Sequence, residues 1–162
     1  MSRSASVLDD QPRPGAPDGD APSLGALSDV LGYHVAQAAV TTVELFERHI
    51  GERYGLRKVE FSILMLLQAN HAITPKKLGQ MLALTPPNLT LLLDRLQERG
   101  LLRRERSQVD RRSHNIVLTE AGVELAAETA AAAVPMEREL QGRLSAAERA
   151  LLIELLRKVA GR

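Results

Sequence analysis

The chain has 162 residues, a net charge of +1 and no cysteine, enough length for one domain with a real core. The missing thiols exclude disulfides, thiolate metal sites and cysteine nucleophiles, and 44% hydrophobic with 25% charged residues is ordinary for a soluble globular protein. No apolar run of about 18 residues suits a membrane span, and no secretory signal is visible, so the expected location is cytoplasmic.

Residues 1–23 hold four of the eight prolines (Pro12, Pro14, Pro17, Pro22) among Gly, Ser and Asp. Such a segment buries too little apolar surface to offset its ordering entropy and reads as a flexible tail. From Leu24 the pattern turns helical. Leu31, Val35, Ala38, Thr42, Leu45, Phe46 and His49 follow i, i+3, i+4, i+7 spacing, and Gly51 and Gly55 punctuate the end of that helix. The apolar run "FSILMLL" (61–67) predicts a central helix buried on most faces.

Thr74-Pro75 is a strong helix start, Thr as N-cap and Pro at the first helical position. The short helix Pro75–Leu82 is expected to bury Leu78, Met81 and Leu82. After "ALT", Thr85-Pro86 repeats the start signal. Leu89, Leu92, Leu93 and Leu96 then line one face of a second helix that stops at Gly100. Two short helices joined by a tight turn are a helix-turn-helix. "LLRRER" and "HNIVL" suit two short strands around the polar loop "SQVDRRS", a β-hairpin whose first arm has only modest strand propensity. Thr119 opens an Ala-rich helix that Pro135 should kink or break. Ser145 with Glu148 reads as a capping box for a last helix, whose apolar face carries Leu151, Leu152, Leu155, Leu156 and Val159.

Charge is segregated. Between Thr74 and Thr119 nine Lys/Arg stand against four acids, a local +5 within a chain of +1. Phosphate neutralisation dominates duplex binding, and a DNA binder would place its cations there. On the second helix Pro87, Asn88, Thr90, Leu91 and Arg95 point away from the leucine stripe. Asn pairs with adenine, Thr bonds either way and Leu91 suits a thymine methyl, while Arg95 is placed to hold a phosphate. A merely solvated helix face is the plainer alternative, and the adjoining basic hairpin weighs against it. Lys76, Lys77 and Arg104 complete the expected contacts outside the hairpin tip. The four aromatics, Tyr33, Phe46, Tyr54 and Phe61, are too few for a base-stacking platform on single strands.

The words "LTPPNLTLLLDRLQERGLLRRERSQVDRRSHNIVLTEAG" (84–122), in this order of elements, resemble the MarR family of winged helix-turn-helix regulators. Asp-x-Arg in the hairpin followed by Leu-Thr-x-x-Gly is the most specific part, and the likeness of architecture covers about residues 28–160. The resemblance implies a mainly α fold with a small β-hairpin wing. Its divisions would be an N-terminal dimerisation helix at 24–57, a DNA-binding lobe at 58–118 and C-terminal dimerisation helices at 119–162. It implies a homodimer on double-stranded DNA, with recognition helices in successive major grooves of a pseudo-palindromic operator and wings in the flanking minor grooves. Arg112 would enter the minor groove, Asp110 would brace it, and Arg111 would meet a phosphate. Asp110 also suits a turn.

The resemblance further implies a small-molecule effector, an aromatic carboxylate or its thioester, that releases the DNA. Tyr33, His34, Phe46, His49 and Phe61 are the candidates for a ring-lined pocket. Core packing is the competing role for the two phenylalanines, and a surface or dimer-interface place for the two histidines. The lack of cysteine excludes the thiol-peroxide sensing found in part of that family. The leading expectation is a repressor. The alternative is an effector-independent architectural DNA-binding protein. No Gly-rich phosphate loop, catalytic triad or paired carboxylates suggest an enzyme, and no metal or other cofactor is expected.

Overall fold

The computed structural model describes residues 22–106 and 114–161. The expected tail therefore lies outside the described residues, except for Pro22 and Ser23. The chain divides into two compact units, residues 1–37 and 38–162.

In the first unit the helix expected from Leu24 is split. Gly25–Asp29 form a short 3-10 segment, Val30 is extended (φ −89°, ψ 97°), and α1 (Leu31–Phe46) begins only after it. Local hydrogen bonding competes with the helix here. The Ser28 hydroxyl donates to the Gly25 carbonyl at 2.8 Å, and His34 Nε2 donates to the Ser28 carbonyl at 2.8 Å.

In the second unit the helical path does not stop at Gly51. It continues through a π turn (Glu47–Gly51) and a single turn, α2 (Glu52–Tyr54). The Glu47 carboxylate lies where a Cβ on residue 51 would sit, a place that flexible side chain would have to leave for any larger residue. The true stop is Gly55, in the left-handed region at φ 61°, ψ 37°.

The central helix α3 (Lys58–Asn70) buries Ile63, Leu64 and Leu67. Around it pack α4 (Pro75–Leu82) and α5 (Pro86–Glu98), the expected helix-turn-helix, through Leu78, Leu89, Leu93 and Leu96. Thr74 caps α4, its hydroxyl accepting from the Lys77 N–H at 3.3 Å. Thr85 precedes α5 but makes no side-chain cap. Proline at 87 removes one of the two N–H donors such a cap would use, that of the second helical position.

Strands β1 (Leu102–Arg106) and β2 (His114–Leu118) form the antiparallel hairpin, pairing Leu102 with Leu118 and Arg104 with Ile116. Ile116 also bridges to Ile73, so the hairpin is hydrogen-bonded to the segment that enters α4. Residues 107–113 lie outside the described residues.

The Leu-Thr-x-x-Gly motif has a structural reason. The Thr119 hydroxyl donates to the Gly100 carbonyl at 2.6 Å and accepts from the Gly122 N–H at 3.1 Å. The Thr119 N–H also donates to the Leu101 carbonyl at 3.1 Å. That carbonyl occupies the space a Cβ on Gly122 would need. The end of α5, the hairpin and the next helix are thus tied at one point.

That helix, α6 (Glu120–Gln141), runs unbroken through Pro135, against the expected interruption. Pro135 and Ala131, whose carbonyl loses its helical donor, are both exposed, so solvent can satisfy the orphaned acceptor. The last helix, α7 (Ala146–Val159), has the expected capping box. Ser145 Oγ accepts from the Glu148 N–H at 3.3 Å and the Glu148 carboxylate accepts from the Ser145 N–H at 2.8 Å. The Ser145 hydroxyl, donating to Glu148 Oε2 at 2.7 Å, and then the Ser145 N–H hold the Glu148 carboxyl below its ordinary range. No described helix is long and apolar enough to cross a membrane.

Candidate nucleic-acid interface

The core stripe of α5 fixes which way its other face looks. With Leu89, Leu93 and Leu96 buried, Pro87, Asn88, Thr90 and Leu91 are all exposed, and Leu91 reaches 69% exposure. Thr90 Oγ1 donates back to the Pro86 carbonyl at 3.0 Å, which leaves its lone pairs outward. Among the described residues no partner engages the Asn88 side chain.

The cations divide into two groups. Lys76 and Lys77, exposed in the first turn of α4, and Arg106, at the end of β1, have no ionic partner among the described residues. Others are engaged within the chain. Arg104 pairs with Asp94 at 2.5 Å and donates to Gln97 Oε1 at 2.9 Å, tying β1 to α5. Arg103 pairs with Glu105 at 2.6 Å along the same strand. Arg95 lies 3.3 Å from the fully buried carboxylate of Glu60. Asp110, Arg111 and Arg112 fall outside the described residues.

Sequence reasoning missed Glu60, Asp94 and Arg99 as structural partners of this face. Glu60 did carry a signal, since an acid at the third position of a helix commonly turns back to cap it. Here Glu60 Oε2 accepts from the Arg57 N–H at 2.8 Å.

The effector candidates separate. Tyr33 and His34 belong to the first unit and meet edge to face at 5.4 Å. In the second unit Phe46 is buried and meets half-buried Phe61 with ring centroids 5.7 Å apart and planes tilted by 57°, inside the core. His49 donates to Glu139 Oε1 at 2.6 Å, and Arg48 to Glu139 Oε2 at 2.8 Å, which clips the π turn to α6. The His49 hydrogen bond and the Arg48 charge hold the Glu139 carboxyl below its ordinary range.

A cleft of about 480 Å³ lies between α4 and α5, lined by Pro75, Lys76, Gly79, Leu84, Leu89 and Thr90 among others. A second, of about 280 Å³, lies against α6 and α7. Neither is lined by any of the five effector candidates. Among the described residues no group of three or more His, Cys, Asp or Glu could hold a metal ion.

A helix-turn-helix with an outward polar face, joined to a hairpin rich in arginine, defines a winged-helix DNA-binding protein. Comparison with known proteins supplies the family. A family model for the MarR family matches residues 56–114. The solved structure of the transcriptional repressor CouR bound to a 23-mer DNA duplex is similar at 33% identity and a TM-score of 0.77, covering 86% of this chain and 99% of that one. BpsR of Bordetella bronchiseptica, whose DNA binding is regulated by 6-hydroxynicotinic acid, is similar at 26% identity and a TM-score of 0.72, covering 82% and 99%. The regulator HosA of Escherichia coli O157:H7 is 29% identical over 120 residues, 72% of this chain and 89% of its own length. The chain belongs to the MarR family: it is a DNA-binding transcriptional regulator and not an enzyme.

Proposed function

We propose that the protein is a cytoplasmic homodimeric repressor that binds a pseudo-palindromic operator and releases it when a small aromatic carboxylate, or its thioester, binds. The observation that carries the reading is the outward face of α5, where Asn88, Thr90 and Leu91 stand exposed opposite a buried leucine stripe. That arrangement suits base edges in a major groove. Lys76 and Lys77 flank it for phosphates, and Arg112 is assigned to the minor groove with Asp110 as its brace and Arg111 on the backbone.

Pairing of two chains is supported by α7. Leu151, Leu152, Leu155, Leu156 and Val159 are 42–61% exposed on a well-capped helix, an apolar face that a single chain leaves uncovered. The effector class is supported by BpsR, a relative regulated by an aromatic acid. Tyr33, His34, Phe46, His49 and Phe61 remain the residues assigned to it. For Phe46 and Phe61 the assignment requires that ligand binding open a ring pair that is packed here.

The test is a mobility-shift titration on DNA upstream of the encoding gene, with and without a panel of aromatic acids and their thioesters. A specific shift that at least one compound weakens is expected. A shift that no compound weakens, with no compound raising thermal stability, would overturn the effector half and favour an architectural role. No specific shift would overturn the whole reading. Asn88→Ala should relax sequence preference.

A further inference from the structure

Arg95 in α5 and Arg99 just past its end, one turn apart, both reach back into the chain. Arg95 places Nε 3.3 Å from Glu60 Oε1. Arg99 donates from its two terminal nitrogens to the Gly55 carbonyl at 2.9 Å and the Tyr54 carbonyl at 3.1 Å. All three acceptors lie in the short joint where α2 ends and α3 begins.

The Glu60 end of this contact is the more demanding. Its side chain has no exposure at all, and while Oε2 caps α3, Oε1 has no hydrogen-bond partner among the described residues. A buried carboxylate oxygen in that state is costly unless a cation answers it. Arg95 is the cation that does so, at 3.3 Å and with its side chain still 42% exposed. Arg99 does the same work on carbonyls left open at a helix end, which attract a positive group.

From this geometry we infer that Arg95 and Arg99 are positioning residues, which fasten the recognition helix to the joint at 54–60 and set its pitch against the groove, rather than phosphate contacts. The inference rests on the reading of α5 as the recognition helix. It also explains a mismatch, since the cations of this lobe outnumber those left available to meet a phosphate.

The test is a double-mutant cycle on the full chain, reading affinity for a specific and a random duplex across a salt series, well below each variant's melting temperature. Glu60→Gln turns an amide N–H2 toward Arg95 or gives up the cap, and so breaks one of its two contacts. Arg95→Met removes the charge and keeps the stem. Arg95→Met, Glu60→Gln and the double variant should each lose about tenfold in specific affinity, the scale of one charged hydrogen bond, without adding to one another. Random-duplex affinity and the salt slope should stay at the parent's values. Arg95→Lys should recover most of the loss, and Arg99→Gln should behave like Arg95→Met.

If Arg95→Met instead flattens the salt slope by about one phosphate's worth while Glu60→Gln leaves affinity intact, Arg95 is a phosphate contact and the inference fails. Lower melting temperatures with unchanged affinity would reduce the pair to a stabilising contact and overturn it equally. Failure of the parent itself to bind any duplex would instead strike the proposed function.

Discussion

Helices α5 and α7 carry nearly the same leucine-rich i, i+3, i+4 pattern, yet the chain treats them in opposite ways. In α5 the stripe is consumed by the lobe's own core, where Leu89, Leu93 and Leu96 are buried and the helix packs against α4 and β1. In α7 no residue is buried, and five of its six large apolar side chains remain between 42% and 61% exposed. The difference teaches that a helical hydrophobic pattern announces a contact without saying with whom. Where the chain supplies the partner, the opposite face is freed for another molecule. Where it does not, the apolar face itself stays exposed.

The largest effect that would sharpen the contrast comes from paired truncations. Leu93→Ala should cost about 2–5 kcal/mol of folding stability, because it leaves a cavity in a packed core. Leu152→Ala, at a half-exposed position, should change single-chain stability far less and weaken self-association instead. Denaturant melts together with sedimentation at several concentrations would show both. Equal stability losses would erase the distinction between the helices.

Next in size are the cations proposed to meet the DNA. Arg112→Ala should lower operator affinity strongly and leave the dimer intact, as read by anisotropy and sedimentation. Lys76→Ala should weaken all duplexes alike and reduce the salt slope by about 0.9, one phosphate's worth. An Arg112→Ala variant that binds as tightly as the parent would remove the minor-groove assignment.

The smallest effect concerns the clip of Glu139 to Arg48 and His49, which binds the π turn to α6. The Glu139 carboxyl is held below its ordinary value of 4.5. Its contribution is therefore present above that value and is lost as pH falls through the lowered one. Melting curves of the parent and Glu139→Gln should differ at neutral pH and converge in acid. A difference that persists in strong acid would mean that the clip acts through packing rather than charge.

Much of this was legible before any coordinates. Thr74-Pro75, the leucine stripes, Ser145 with Glu148 and the Thr119-x-x-Gly122 step are local signals, and each sets local geometry. What escaped depends on partners distant in sequence or on exposure. Pro135 reads as a breaker, but whether solvent reaches the orphaned carbonyl decides the outcome. The π turn at 47–51 and the break at Val30 leave no periodic trace. At the interface, composition identified the face of α5 correctly as outward. Counting cations said nothing of which were already engaged, because the partners of Arg95 and Arg104 sit on other elements.

The central claim is that two chains, paired through α7, present two recognition helices to one duplex. Light scattering of the protein eluting with a duplex selected from random sequence would measure this directly. Two 17.7 kDa chains per duplex, on a selected site with two-fold symmetry, is the expected result. A single chain on a site without symmetry, bound as tightly by a Leu152→Asp/Leu155→Asp variant, would contradict it.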